Sequence, residues 1–172
     1  MILKDFSRVK AVFLDVDGVL TDGTVQVTEQ GEQLRTFSIK DGYAIQLAIK
    51  RGLFIAVITG GNSQGVLRRL QGLGVTEIFW GISDKEELML KKITEYGFSL
   101  SDVVFVGDDI PDLACMQKVG IAACPHDAVE EIKQISAYIS PRKGGEGCVR
   151  DILEKILKLQ GKWGEDITVK SI

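Results

Sequence analysis

Cysteine is scarce in this 172-residue chain. Cys115, Cys124 and Cys148 are an odd number, widely spaced and without a C-x-x-C pair, which argues against a disulfide framework or a structural zinc site and fits a reducing compartment. Histidine is scarcer still: His126 has no ligating partner at a useful spacing, so it reads as structural. A basic excess is also missing. The 21 Lys and Arg against 24 Asp and Glu leave a net charge of −3, which speaks against a nucleic-acid partner. No apolar run approaches the roughly 20 residues of a membrane span, and the short run Ala11–Leu14 ends in carboxylates, unlike a signal peptide. The chain reads as soluble and cytoplasmic, with neither membrane nor nucleic acid as a partner.

What remains is ordinary globular material, with 45% hydrophobic and 26% charged residues. Its length suits one domain by the prior of ~100–200 residues each. That domain is expected over about residues 1–160, followed by a poorly patterned, loosely held tail over 161–172. Strand one is expected at about 10–16. Two β-prone runs around a Gly-containing turn then predict a hairpin flap at about 24–39. Asp41-Gly42 opens a helix to about Arg51, and the wholly apolar Leu53–Ile58 is a strand buried on both faces. Asn62 caps a helix to about Leu73, Thr76–Trp80 is a strand, and Ser83 with Glu86 has the capping-box pattern for a helix to Tyr96. Further strands are expected at Val103–Val106, 121–123 and 137–139, and helices at 110–119, 128–135 and 149–159. This alternation predicts an α/β fold: a doubly wound, mostly parallel, Rossmann-like sheet with a small β-hairpin flap.

Chemistry-bearing residues gather where strands end. Asp15 and Asp17 follow the apolar Ala11–Leu14, with Gly18 behind them to turn the backbone. Like charges that close need a cation, and hard carboxylates suit Mg²⁺. Thr59-Gly60 follows the second buried strand at a helix start, a place suited to phosphate. Lys85 stands at another helix start, where the helix dipole disfavours it. Gly107-Asp108-Asp109, with Asp112 beyond, forms a second acidic cluster. One of these acids can complete a metal site with Asp15, and another can be only a cap.

Together Asp15-Val16-Asp17-Gly18-Val19, Thr59-Gly60, Lys85 and Gly107-Asp108-Asp109…Asp112 resemble the haloacid dehalogenase superfamily of aspartate-nucleophile phosphohydrolases. The longer DVDGVLTDG run, the lack of an insertion long enough for a cap domain, and Lys143-Gly144-Gly145-Glu146-Gly147 resemble its small capless branch. That branch contains the phosphatases of 3-deoxy-D-manno-octulosonate 8-phosphate and of nine-carbon sugar-acid phosphates. The resemblance implies that Asp15 attacks phosphorus, Asp17 acts as general acid and base, and Thr59 and Lys85 hold the phosphoryl group. It implies Mg²⁺ on the Asp15 side chain, the Asp17 carbonyl and Asp108, with Asp109 and Asp112 as supports. It also implies a homotetramer whose flaps form a central barrel and whose neighbours close each site.

The substrate is then a small phosphorylated sugar acid, 3-deoxy-D-manno-octulosonate 8-phosphate first and a nine-carbon 9-phosphate second. The branch often carries Arg or Glu after Thr-Gly, where this chain has Gly61. Arg68 and Arg69 are the expected readers of the sugar carboxylate beside Gly60 and Thr59, and Arg142 and Lys143 are expected to reach a neighbour's site on a flexible segment. Two rival readings are a receiver-type signalling domain and a non-catalytic partner of a sugar-acid enzyme. The order of the motifs, with D-x-D first and the acid pair last, disfavours the receiver.

Overall fold

The computed structural model of the chain describes residues 5–172. In chain order its strands are β1 (Ala11–Leu14), β2 (Gln26–Val27), β3 (Gln33–Leu34), β4 (Phe54–Ile58), β5 (Glu77–Phe79), β6 (Val103–Val106), β7 (Ile121–Cys124) and β8 (Tyr138–Ile139). The helices are α1 (Ile39–Lys50), α2 (Gln64–Gly72), α3 (Lys85–Glu95), α4 (Leu113–Lys118), α5 (Glu130–Ile135) and α6 (Cys148–Leu159).

Six strands make a parallel sheet in the order β5-β4-β1-β6-β7-β8. Strand side chains alternate between faces, so β1 divides its four residues between two layers. Val12 and Leu14 enter the core formed with α1 and α6, through Ile45, Leu47, Ile152 and Ile156. Ala11 and Phe13 enter the opposite core with Met89, Ile93, Met116 and Ile132. Wholly apolar β1, β4, β6 and β7 follow from this burial on both faces. The chain leaves β1 toward β4 and β5, then crosses to β6 and continues outward. The crevice beyond the carboxyl ends of β1 and β6 is therefore the topological switch point, where open α/β sheets bind ligands.

Three helix starts differ from the sequence expectation. Ser38, not Asp41, caps α1, its side chain accepting from the Asp41 N–H at 3.3 Å. Ser63 in place of Asn62 caps α2, and Asp84 in place of Ser83 caps α3. Several residues in each stretch have capping chemistry, and tertiary packing selects among them. The flap is also narrower than the apolar pattern suggests. It has two ladder pairs, Gln26↔Leu34 and Val27↔Gln33, and an isolated bridge Thr21↔Phe37, while Ile39 joins α1. Among the described residues no helix is long and apolar enough to cross a membrane.

The final segment is held more firmly than its composition suggests. Trp163 and Val169 pack against the core, Lys50 Nζ lies 2.8 Å from Asp166 Oδ2, and Gln46 Nε2 donates to the Lys170 carbonyl at 2.7 Å. These ties join residues more than a hundred positions apart, which leaves no periodic trace in the sequence.

Candidate active site

Asp15 continues β1 beyond Leu14, its N–H donating to the Val106 carbonyl at 3.0 Å. The loop that follows is stapled by Thr21, which is fully buried. Its Oγ1 accepts from the N–H groups of Gly18 and Gly23, each at 3.3 Å, and donates to the Val16 carbonyl at 3.4 Å. Gly18 has φ +87°, and a Cβ there would stand 1.9 Å from Asp108 Oδ2. Only glycine lets the loops after β1 and β6 approach this closely.

Lys85 enters from the first turn of α3. Its Nζ lies 2.8 Å from Asp15 Oδ1 and 2.8 Å from Asp112 Oδ1. Asp112 Oδ2 accepts in turn from the Asp108 N–H at 3.1 Å. A lysine that the helix dipole disfavours is thus held by two carboxylates. Burial lowers the affinity of its ammonium for a proton, but Asp15 and Asp112 outweigh that and hold its pKa above the ordinary lysine value. Burial first, and the charge of Asp112 second, push Asp15 up to about 7 against the pull of Lys85. Asp108 is also raised to about 7, by burial and then by Asp15, Asp112 and Asp109.

Carboxylate oxygens of Asp15, Asp108 and Asp112 lie within 4.8 Å of one another. One ammonium cannot offset three clustered carboxylates, two of them buried and that of Asp108 half-buried, and the donors are all hard oxygens. Such a cluster can hold a divalent cation of the magnesium type.

Thr59 and Gly60 close the opposite wall. Thr59 is buried, and its Oγ1 accepts from the Gly61 N–H at 3.1 Å. Asp15, Asp17, Thr59, Gly60, Lys85 and Asp108 line one cleft. Asp17 is partly exposed and is gripped from the flap. Arg35 Nε donates to Asp17 Oδ1 at 2.6 Å and Nη2 to Oδ2 at 3.4 Å.

Some expected residues are placed elsewhere. Arg68 is exposed on α2 and does not line the cleft. Arg69 turns toward α1, with Nη2 2.7 Å from where a Gly42 Cβ would stand. Arg142 and Lys143 are exposed, and Arg142 borders a separate groove beside Arg150. The Gly-Gly beyond them is packed rather than free. A Cβ on Gly144 would stand 1.8 Å from the Gly18 carbonyl oxygen, and the Gly145 N–H donates to Val19 O at 3.1 Å. His126 is exposed, and its N–H donates to the Arg142 carbonyl. Asp109 is exposed, its side chain capping the Ile110–Asp112 turn at the Ile110 N–H, 2.7 Å away.

Two residues of the site were not singled out from the sequence. Arg35 lies 18 positions from Asp17, and nothing in spacing joins them. Thr21 sits inside the DVDGVLTDG run, yet its stapling role needs the closed loop.

Residues 71–152 match the family model of haloacid dehalogenase-like hydrolases. A 3-deoxy-D-manno-octulosonate 8-phosphate phosphatase of Escherichia coli K12 is 34% identical over 158 residues, covering 92% of this chain and 84% of the relative. The crystal structure of that phosphatase from Yersinia pestis superposes with a TM-score of 0.91 at 31% identity, covering 94% of this chain and 87% of the other. The Moraxella catarrhalis phosphatase, in complex with magnesium ion, phosphate ion and KDO, gives a TM-score of 0.90 at 33% identity, covering 93% and 92%.

Proposed function

Starting from a chain that belongs to the haloacid dehalogenase-like hydrolases and is a phosphoric monoester hydrolase, we propose that it removes phosphate from 3-deoxy-D-manno-octulosonate 8-phosphate through an aspartyl-phosphate on Asp15. The observation that carries this reading is the Lys85 ammonium, 2.8 Å from both Asp15 and Asp112 at the switch point of the sheet. It orients the Asp15 carboxylate while its charge faces the place of a transferring phosphoryl group.

In the first step an Asp15 oxygen bonds to phosphorus and the bond from phosphorus to the sugar oxygen breaks, with Asp17 delivering a proton to that oxygen. In the second step Asp17 takes a proton from water, the water oxygen bonds to phosphorus, and the bond to Asp15 breaks to release inorganic phosphate. Splitting hydrolysis in this way replaces one difficult displacement by two easier ones. Thr59 and Lys85 hold the phosphoryl oxygens throughout. Asp15, Asp108 and the Asp17 carbonyl would hold magnesium, which supplies positive charge to the phosphoryl group when bound. Asp112 acts through Lys85 and through the Asp108 backbone.

The same reading makes the active unit an oligomer, a tetramer joined through the flap, and places the reaction in lipopolysaccharide sugar synthesis. The test is phosphate release by purified protein with magnesium against a panel of phosphorylated sugar acids and neutral sugar phosphates. Preference for the eight-carbon acid supports the reading. Preference for a nine-carbon acid 9-phosphate replaces the substrate and keeps the chemistry, and absence of turnover on the whole panel overturns it.

A further inference from the structure

Resting on that reading, we infer that Arg35, carried on the flap, is the residue that recognises the carboxylate of the substrate's leaving group, with Asp17 holding the guanidinium ready between turnovers. A phosphorylated sugar acid brings two anionic groups to the site, and the cleft must answer both. Among the residues lining the cleft and the recess that opens off it, the cations are Lys85 and Arg35. Lys85, buried beside Asp15 and Asp112 with its side chain 7% exposed, is the cation that answers the phosphoryl group. Within this chain's own lining the second cation is Arg35, paired with Asp17 and with its side chain 10% exposed.

Its geometry suits that use. The guanidinium already receives a carboxylate in fork fashion, with bonds of 2.6 and 3.4 Å to the two oxygens of Asp17. The second is long, so the pair with Asp17 is not saturated. Beside it the chain offers no side chain: a Cβ on Gly61 would stand 3.5 Å from Asp17 Oδ2 and 3.9 Å from Arg35 Nη2. A side chain at Gly61 would start in contact with both groups of the pair, so the glycine keeps the Asp17–Arg35 fork uncrowded. Val66, Ile78 and Trp80 wall the recess, and an apolar wall strengthens an ion pair formed against it.

Arg35 follows β3 directly, on a flap whose sheet has just two ladder pairs. Such a short hairpin is marginal by itself, so the guanidinium can shift with the flap from Asp17 toward an incoming carboxylate. That shift would free an Asp17 oxygen to face the bridging oxygen of the phosphate ester. Recognition of the acid and exposure of Asp17 are then one movement. Lysine cannot reproduce the fork.

The test compares kcat/KM for 3-deoxy-D-manno-octulosonate 8-phosphate with that for glucose 6-phosphate, which has no carboxylate, in wild type, R35Q and R35K. The preference for the acid should fall on the order of 10- to 100-fold in R35Q, the size of a lost charge-assisted hydrogen bond. The loss should appear chiefly in KM for the acid, and R35K should recover part of it. Free 3-deoxy-D-manno-octulosonate should likewise lose potency as an inhibitor of R35Q. Equal losses on both substrates would overturn the assignment and leave Arg35 as a positioning residue for Asp17. So would an R35Q that keeps the wild-type preference, or one that fails to fold beside an R35K of unchanged preference. A wild type with no preference for the acid defeats the sugar-acid reading itself, a different result.

Discussion

Asp41 and Arg150 meet across the fold: the Arg150 N–H, in the first turn of α6, donates to Asp41 Oδ1 at 2.7 Å. α6 begins after Gly147, which supplies no side-chain cap, so Asp41 on α1 fills that place from another helix. The bond fixes the helix that follows the Gly144-Gly145 loop, and that loop packs against the turn bearing Asp15 and Asp17.

A pH-dependent stability difference follows from it. Asp41 is 2% exposed, its Oδ2 has no hydrogen-bond partner, and burial raises its pKa to about 6. A raised folded pKa means that stability is fully present below the unfolded value and is lost as pH rises through about 6. D41N keeps an acceptor and removes the charge. It should be more stable than wild type at pH 8 by on the order of 1–3 kcal/mol, with the gap shrinking toward pH 4.5. Urea midpoints at the two pH values measure this, and a gap independent of pH refutes the buried charge.

The roles of Asp15 and Asp17 separate by substitution. D15N should abolish turnover while the fold survives, and undiminished hydrolysis would falsify the covalent mechanism. D17N keeps its backbone carbonyl, so magnesium binding by calorimetry should persist while kcat falls by on the order of 10²–10⁴. Joint collapse of metal affinity and rate would contradict the proton-transfer role.

Removing Lys85 leaves Asp15 and Asp112 without their shared cation. K85M should lose activity and about 3–5 kcal/mol of stability, the usual effect of breaking a buried ion pair. Magnesium should raise the melting temperature of K85M more than that of wild type, because the cation then has more charge to offset. Equal thermal shifts would argue against a shared cation site.

Gly144 and Gly72 make a matched pair. An Ala at 144 puts its Cβ 1.8 Å from the Gly18 carbonyl oxygen, whereas nothing lies within 4 Å of a Cβ at 72. G144A should therefore displace the Asp15–Gly18 turn and lower kcat sharply. G72A should keep full activity and gain roughly 0.5–1 kcal/mol from reduced chain entropy. Comparable kinetics for the two variants would show that the loop contact does not shape the site.

The flap presents Val25, Val27 and Leu34 at 46%, 66% and 50% exposure. Packed on copies of itself, that surface would be covered. V27D should reduce the oligomer measured by light scattering and lower kcat/KM more for the bulky sugar acid than for a small phosphate ester. A wild type fully active as a monomer at assay concentration overturns the flap-mediated assembly.

The sequence by itself determined the sheet and the acids at its edge. Uninterrupted apolar runs such as Ala11–Leu14 and Leu53–Ile58 can be satisfied only by burial on both faces, so β1 and β4 were legible, and Asp15, Thr59, Lys85 and Asp108 were legible as strand-end groups. Tertiary structure decided whatever depends on which residues meet across distance. It drew Asp112 onto Lys85 as a full partner, turned Arg69 toward Gly42, and packed Gly144 against Gly18. It also brought Arg35 onto Asp17 from a flap that the sequence placed beside the site without singling out any of its residues. Periodicity records which face of an element is buried, but a salt bridge or a glycine contact between loops has no period, and only the closed chain fixes it.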